Sequence, residues 1–247
     1  MTKPTKIGTG IAGSAVVCAA LAAGTHGVAR AAWAWTTVAC VIAAAAYLTN
    51  RPAWLGKCHG RWSARSILML PYLAAFRVAC GLMRWWRGGD APTLIAPGLW
   101  VGGRITAPLP PDVTHVVDLV AEYLEPRHGR ALSGYRSLPT LDGGVPSDIE
   151  QFTNLVRELA GVDGAVLVHC DSGRGRAPTF AAALLVARGL ADDVDAAIAL
   201  VQCARPVARP TRSDRAFLAD TQPALRAISR TTHRADARRP AVAQIDH

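Results

Sequence analysis

Apolar residues follow three different patterns along the chain. Over residues 7–23 and 31–49 they run without a charge and would cover every face of a helix. Each run approaches the ~20 residues that a bilayer-crossing helix needs, and all-round apolarity argues against a helix with one face in water. Gly24-Thr25-His26-Gly27 between them carries turn formers, so residues 1–50 are predicted to form a transmembrane helical hairpin. Over residues 66–86, apolar residues interleave with Pro71, Arg77 and Arg84. Arginine is costly at bilayer centre, so 51–90 reads as a basic juxtamembrane segment. Its amphipathic helix would lie on the membrane surface, anchored by Trp85, Trp86 and Arg87. A linker helix packed on the next domain is the alternative.

Gly88-Gly89-Asp90-Ala91-Pro92 marks a boundary, after which short apolar runs alternate with amphipathic ones. Strands are predicted over 93–96 and 99–101 around a Pro97-Gly98 turn, then over 114–120 and 135–138. Ala165-Val166-Leu167-Val168-His169 is a continuous apolar strand of the kind buried on both faces of a parallel sheet. Ser147 reads as a helix N-cap, with Asp148 and Glu150 in the first turn and an amphipathic run to residue 160. Further helices are predicted over 175–188, 192–203 and 213–229. The alternation implies an α/β domain over 91–230, three layers with a mostly parallel central sheet flanked by helices. The tail 231–247 is polar, basic and aperiodic, and is predicted to be disordered.

Charge fixes the orientation. The chain has no Asp or Glu before Asp90 and carries a formal charge of +9. Lys3 and Lys6 precede the first apolar run, and Arg51, Lys57, Arg61 and Arg65 follow the second, with only Arg30 near the turn. The positive-inside bias puts both flanks and the α/β domain in the cytoplasm, at a bacterial-type inner membrane. Trp33 and Trp35 would then sit at the far interface, and Tyr47 and Trp54 at the near one. A cleaved signal peptide is the competing reading of the first run and leaves the remaining topology unchanged. Such a charge suits lipid head groups or anionic substrates. Nucleic acid is not expected as a partner, since there is no basic stripe interleaved with aromatics and no zinc-finger spacing. Six cysteines without a Cys-x-x-Cys pair suggest neither a disulfide framework nor a zinc site. Cys18, Cys40, Cys80 and Cys203 read as small buried apolar residues.

The chemistry is concentrated in His169-Cys170-Asp171-Ser172-Gly173-Arg174-Gly175-Arg176. A buried strand ends at Cys170, a loop with two glycines follows, and a helix begins near Arg176. Backbone N–H groups of such a loop and the helix N-terminus form an anion cradle sized for phosphate. Arg176 closes the ring with a planar grip on two oxygens. The same field favours a negative sulfur at Cys170, which makes it a nucleophile beneath the phosphorus. His169 is expected to hold the loop rather than act as a base, and Asp171 to orient its neighbours. The leaving oxygen needs a proton. Asp142, in the Pro- and Gly-bracketed segment Pro139-Thr140-Leu141-Asp142-Gly143-Gly144-Val145-Pro146, is the candidate acid on a loop that closes over the site.

These residues resemble the dual-specificity branch of the cysteine-dependent protein tyrosine phosphatases. That branch carries His-Cys, five residues, then Arg, with a general-acid Asp upstream. The resemblance covers roughly residues 92–228, and Leu99-Trp100-Val101-Gly102-Gly103 is similar to the opening strand of the family. It implies a phosphocysteine on Cys170, proton transfer by Asp142, phosphate binding by Arg176, and no metal or other cofactor. Ala177 departs from the Ser or Thr common in the family after the Arg, which predicts slow hydrolysis of the phosphoenzyme.

Arg174, in Cys-x-x-Gly-Arg-Gly-Arg, makes the loop similar to lipid-directed members such as phosphatidylglycerophosphate phosphatase. Phospholipid head groups and phosphorylated proteins are both expected substrates, with His169, Asp171, Ser172, Gly173, Arg174 and Gly175 as the binding set. A membrane-tethered phosphate-binding adaptor with little or no turnover is the alternative function. A rhodanese-like sulfur transferase is a more distant one, since its loop is usually one residue shorter.

Overall fold

The structure, a computed structural model, describes residues 2–58, 60–87, 91–105, 108–125 and 127–236. Residues 88–90 of the expected boundary and the tail beyond 236 lie outside the described residues.

Helices α1 (Lys3–Gly24) and α2 (Gly27–Thr49) pair as a hairpin, and both are long and apolar enough to cross a membrane. Small residues allow the close approach. A Cβ on Gly8 would lie 3.1–3.2 Å from Leu48 and Tyr47. A 3-10 turn (Pro52–Leu55), a two-stranded ribbon of β1 (Lys57–Cys58) and β2 (Arg61–Trp62), a short α3 (Arg65–Leu68) and α4 (Leu70–Arg87) follow. This segment does more than link. Leu55, Met69, Tyr72 and Leu73 bury themselves with Ala39, Ala43, Ala46 and Tyr47 of α2 and with Ala121 and Leu141 of the α/β domain. Helix α4 therefore packs one face inward, while Val78, Leu82, Trp85 and Trp86 remain 65–83% exposed. One aromatic placement needs correcting. The Trp35 indole N–H donates to Leu68 O at 2.8 Å with the ring still 40% exposed, whereas Tyr47 is buried under the α/β domain. The chain after α2 folds back along it, so Tyr47 meets protein where an interface was expected.

The sheet contains β3 (Thr93–Ala96), β4 (Leu99–Gly102), β5 (Val113–Val120), β6 (Gly134–Thr140) and β7 (Ala165–His169), in the order β3-β4-β7-β5-β6. Only β3 and β4 pair antiparallel. Side chains split between the faces with period two, as strand geometry requires. Leu99, Val101, Val117, Val166 and Val168 enter the main core, and Trp100, Val116, Ala165 and Leu167 the opposite one. Four helices make the main core: α6 (Ile149–Ala160), α7 (Arg176–Ala187), α8 (Val194–Ala204) and α9 (Arg212–Asp236). The opposite face is covered by Ile105, Leu109 and Leu132 from connecting segments, and α5 (Arg127–Arg130) is a single turn. The third layer is thus thinner than predicted. Asp148, not Ser147, is the N-cap of α6, accepting the Gln151 N–H at 2.9 Å. Helix α9 runs to Asp236, beyond residue 231 where disorder was expected. Cys203 is exposed and Cys18 only half-buried, against the expectation for both.

Candidate active site

Parallel pairing sets the carboxyl ends of β4, β7, β5 and β6 at one edge of the sheet, the position where open α/β sheets bind ligands. His169 lies beside Gly102 and Asp118, and Thr140 beside Val120. Cys170 is the first residue past β7 and is 1% exposed. The loop after it turns tightly: the Gly173 N–H lies 3.2 Å from Cys170 Sγ. Gly173 has φ +63°, and a Cβ there would sit 2.7 Å from backbone atoms of Gly102 and Gly103. Any side chain would push the loop off β4. The Arg104 N–H donates to Asp171 O at 3.0 Å. Arg205 Nε donates to Gly173 O at 2.9 Å while its Nη1 reaches Ala91 O and Thr93 Oγ1. Helix α7 then begins at Arg176 with no side-chain cap. Its first N–H groups and its dipole are directed at the loop, which suits an anion.

Arg176 is 5% exposed. Its Nη1 donates to Thr140 O (2.6 Å), Glu122 Oε2 (3.2 Å) and Leu119 O (3.4 Å), and Nη2 lies 3.4 Å from Asp142 Oδ1. The buried Nε has no partner, so the Nε–Nη2 edge retains the capacity for a two-pronged grip. Burial alone would loosen the proton on Arg176, but the Glu122 and Asp142 carboxylates outweigh it and hold the guanidinium charged. Glu122, 1% exposed, also accepts the Tyr47 hydroxyl (2.8 Å) and the Asp142 N–H (2.9 Å). It links α2, the acid loop and Arg176, and the sequence reading missed it. Its only signal was an acidic residue two places beyond a strand end.

Asp142 sits past β6 in a loop covered by the start of α1. Lys3 Nζ lies 3.8 Å from Asp142 Oδ2, and a Cβ on Gly143 would strike the Lys3 side chain. Asp171 accepts from Arg84 Nη1 of α4 (2.6 Å) and from the Tyr123 hydroxyl (2.7 Å). Cys170, Asp171, Ser172, Arg174, Gly175, Arg176 and Asp142 line one cavity of about 790 Å3, with α1 and α4 forming its other wall. Cys80 also lines it, and burial and then Asp171 push that thiol up to about 12.

His169 does not join the cavity. It is fully buried beneath the loop, with Nε2 3.1 Å from Glu125 Oε2, so the substrate contact expected of it is corrected to a supporting position. Beneath the loop lies a charged cluster that the sequence did not reveal. Lys57 Nζ, from the ribbon after the hairpin, donates to Asp118 Oδ2 (2.6 Å), Val120 O (2.5 Å) and Tyr123 O (2.9 Å). Burial works against ionised Asp118, yet Lys57 and His169 outweigh it and its pKa is lowered. Burial and neighbouring Asp118 push Glu125 up to about 8, and burial pulls His169 down to about 4. Ligand atoms of Asp118, Glu125 and His169 lie within 4.8 Å of one another, close enough to hold a metal. Lys57 Nζ already bonds Asp118 in that cluster, so an ion would have to displace it.

Residues 111–241 match the family described as Swiss Army Knife protein, DSP-PTPase phosphatase domain. No curated protein matches the chain. Among solved structures, a human DUSP28 variant is 26% identical with a TM-score of 0.46, the match covering 56% of this chain and 98% of that one. A mouse putative dual specificity phosphatase complexed with zinc tungstate is 25% identical (TM-score 0.45; 55% and 89% covered). PTPMT1 is 16% identical (TM-score 0.42; 58% and 99% covered).

Proposed function

The chain belongs to the DSP-PTPase phosphatase family and is a phosphoric monoester hydrolase, and from that premise we propose that Cys170, Arg176 and Asp142 carry its reaction while α1 and α2 anchor it in a membrane. The supporting observation is that Cys170, Arg176 and Asp142 line one cavity at the N-terminus of α7, where Arg176 Nε has no partner and Nη2 lies 3.4 Å from Asp142 Oδ1. In the first step Cys170 sulfur attacks phosphorus, the phosphorus–oxygen ester bond breaks, and Asp142 gives its proton to the leaving oxygen. In the second, Asp142 takes a proton from water, the water oxygen bonds to phosphorus, and the sulfur–phosphorus bond breaks. Loop N–H groups and Arg176 bear the charge on the phosphoryl oxygens throughout. The cytoplasmic orientation of the domain rests on the basic residues flanking the hairpin.

One observation favours a slow second step. Ala177 offers no hydroxyl beside the sulfur, and Thr179 Oγ1 is committed to Gly175 O at 2.9 Å. A catalytically weak phosphate-binding adaptor is the limit of that tendency. Cys170→Ser tests the reading: turnover of p-nitrophenyl phosphate should vanish while inorganic phosphate still binds in calorimetry. Retained turnover in that variant would overturn the assignment of the nucleophile, and a wild type that binds phosphate without turnover would favour the adaptor.

A further inference from the structure

We propose that Arg84 of α4 is a positioning residue for the reaction and acts through Asp171. It neutralises the one carboxylate inside the loop 170–176 and so keeps that loop receptive to a phosphate dianion. The inference rests on the phosphatase reading above for its bearing on turnover, though not for its bearing on phosphate binding.

A carboxylate is out of place in a loop read as an anion cradle. Asp171 follows Cys170 directly and its side chain is 15% exposed. A negative charge so placed repels the oxygens that the loop N–H groups and Arg176 would hold. Other cations at the site are engaged with other carboxylates. Arg176 lies 3.2 Å from Glu122 and 3.4 Å from Asp142, and Lys3 lies 3.8 Å from Asp142. The α/β domain offers Asp171 only neutral partners: the Tyr123 hydroxyl donates to Oδ1 at 2.7 Å, and the Arg104 backbone N–H donates to the Asp171 carbonyl. Burial and then Asp171 raise the pKa of Tyr123, so that hydroxyl stays uncharged. A neutral donor satisfies the carboxylate without removing its charge.

The compensating charge comes from outside that domain. Among the described residues Arg84 is the only ion-pair partner of Asp171, with Nη1 2.6 Å from Oδ1. Helix α4 is held in place to deliver it. Tyr72 and Leu73 of its first turn are buried with α2 residues and with Ala121 and Leu141 of the α/β domain. Cys80, one turn before Arg84 on the same face, also hydrogen-bonds Asp171. The Arg84 side chain is 25% exposed and lines the cavity with Cys170, so water screens the pair only in part. Arg84 precedes residues 111–241, the stretch that matches the phosphatase family. The segment after the hairpin thus sets the charge balance of a loop that belongs to the domain.

The test uses the full chain in detergent, with inorganic phosphate binding read by calorimetry and kcat/KM read on p-nitrophenyl phosphate. Arg84→Gln should weaken binding and lower kcat/KM by about tenfold each, the effect of one partly screened charge on a neighbouring anion. Adding Asp171→Asn to that variant should bring both quantities back to within about threefold of wild type, because the charge that needed a partner is gone. Arg84→Lys keeps the charge without the planar fork and should also stay within about threefold. Thermal melting identifies the folded variants. Wild-type values in a folded Arg84→Gln protein overturn the proposal, as does a loss in Arg84→Lys equal to that in Arg84→Gln. A double variant no better than Arg84→Gln overturns it too, since that result is expected if Arg84 only fastens α4 or touches the anion itself. If Arg84→Gln does not fold, a loss of about tenfold in either the double variant or Arg84→Lys, each measured against wild type, overturns the proposal. The expected pattern in phosphate binding, with no turnover in any of the proteins, supports the role of Arg84 and overturns the phosphatase reading alone.

Discussion

Glu122→Gln tests how the site is held. Glu122 is 1% exposed and accepts three hydrogen bonds, from Tyr47 Oη (2.8 Å), the Asp142 N–H (2.9 Å) and Arg176 Nη1 (3.2 Å). The amide oxygen of Gln can still serve the first two, because both bonds converge on Oε1. Its NH2 group then occupies the Oε2 position and turns a donor toward the guanidinium. The loss is one charge-assisted bond, about 1.5–3 kcal/mol, in a buried site where Arg176 cannot find water instead. Relaxation of Arg176 moves the edge that grips phosphate, so kcat/KM for p-nitrophenyl phosphate should fall about tenfold to a hundredfold. The inhibition constant for inorganic phosphate should rise with it. Tyr47→Phe removes the hydroxyl that donates to Glu122 Oε1 and accepts from Tyr72 at 3.5 Å but leaves the Glu122–Arg176 pair in place. It should therefore cost less than about tenfold in kcat/KM, which separates a loosened site from a lost fold. The two variants are read by steady-state kinetics in detergent, with thermal melting alongside. Wild-type kcat/KM and phosphate inhibition in a folded Glu122→Gln protein would refute the idea that Glu122 aims Arg176.

Lys57→Met leaves Asp118 ionised at 0% exposure without its partner, and should cost about 3–5 kcal/mol in urea unfolding; pairing it with Asp118→Asn should recover much of the loss. Glu125, raised to about 8, holds a proton in the folded state that the unfolded chain releases near its ordinary value of 4.5. Folding stability from this group therefore falls as pH rises through that window and levels off above it. Glu125→Gln should remove that slope in urea titrations across the range, and an unaltered slope would refute the assignment. Ala177→Ser should speed phosphoenzyme hydrolysis by about tenfold, the worth of one hydrogen bond to the departing sulfur. Rapid-quench measurement should show the wild-type burst of product shrinking in that variant, and a linear wild-type progress curve would count against a slow second step.

Local signals carried the loop proposed to bind phosphate. The run 165–169 is apolar on both faces and so had to be a central strand, and Gly173 and Gly175 with Arg176 behind them are legible because only a tight anion-binding turn needs that spacing. Asp142 could be selected because Pro139, Gly143, Gly144 and Pro146 mark a loop, and the hairpin could be read because uncharged runs of that length have few alternatives. Partners far apart in sequence had no such marks. Lys57 meets Asp118 across 61 positions and Tyr47 meets Glu122 across 75. A lysine after an apolar run looks like a membrane flank until the chain folds back and buries it at 1% exposure. The apolar run of α2 likewise says nothing about which of its faces meets lipid and which meets Ala121 and Leu141. Chain composition determines that a segment must leave water. Whether it is covered by bilayer or by protein was decided only by tertiary packing, because both offer the same free energy to an apolar side chain.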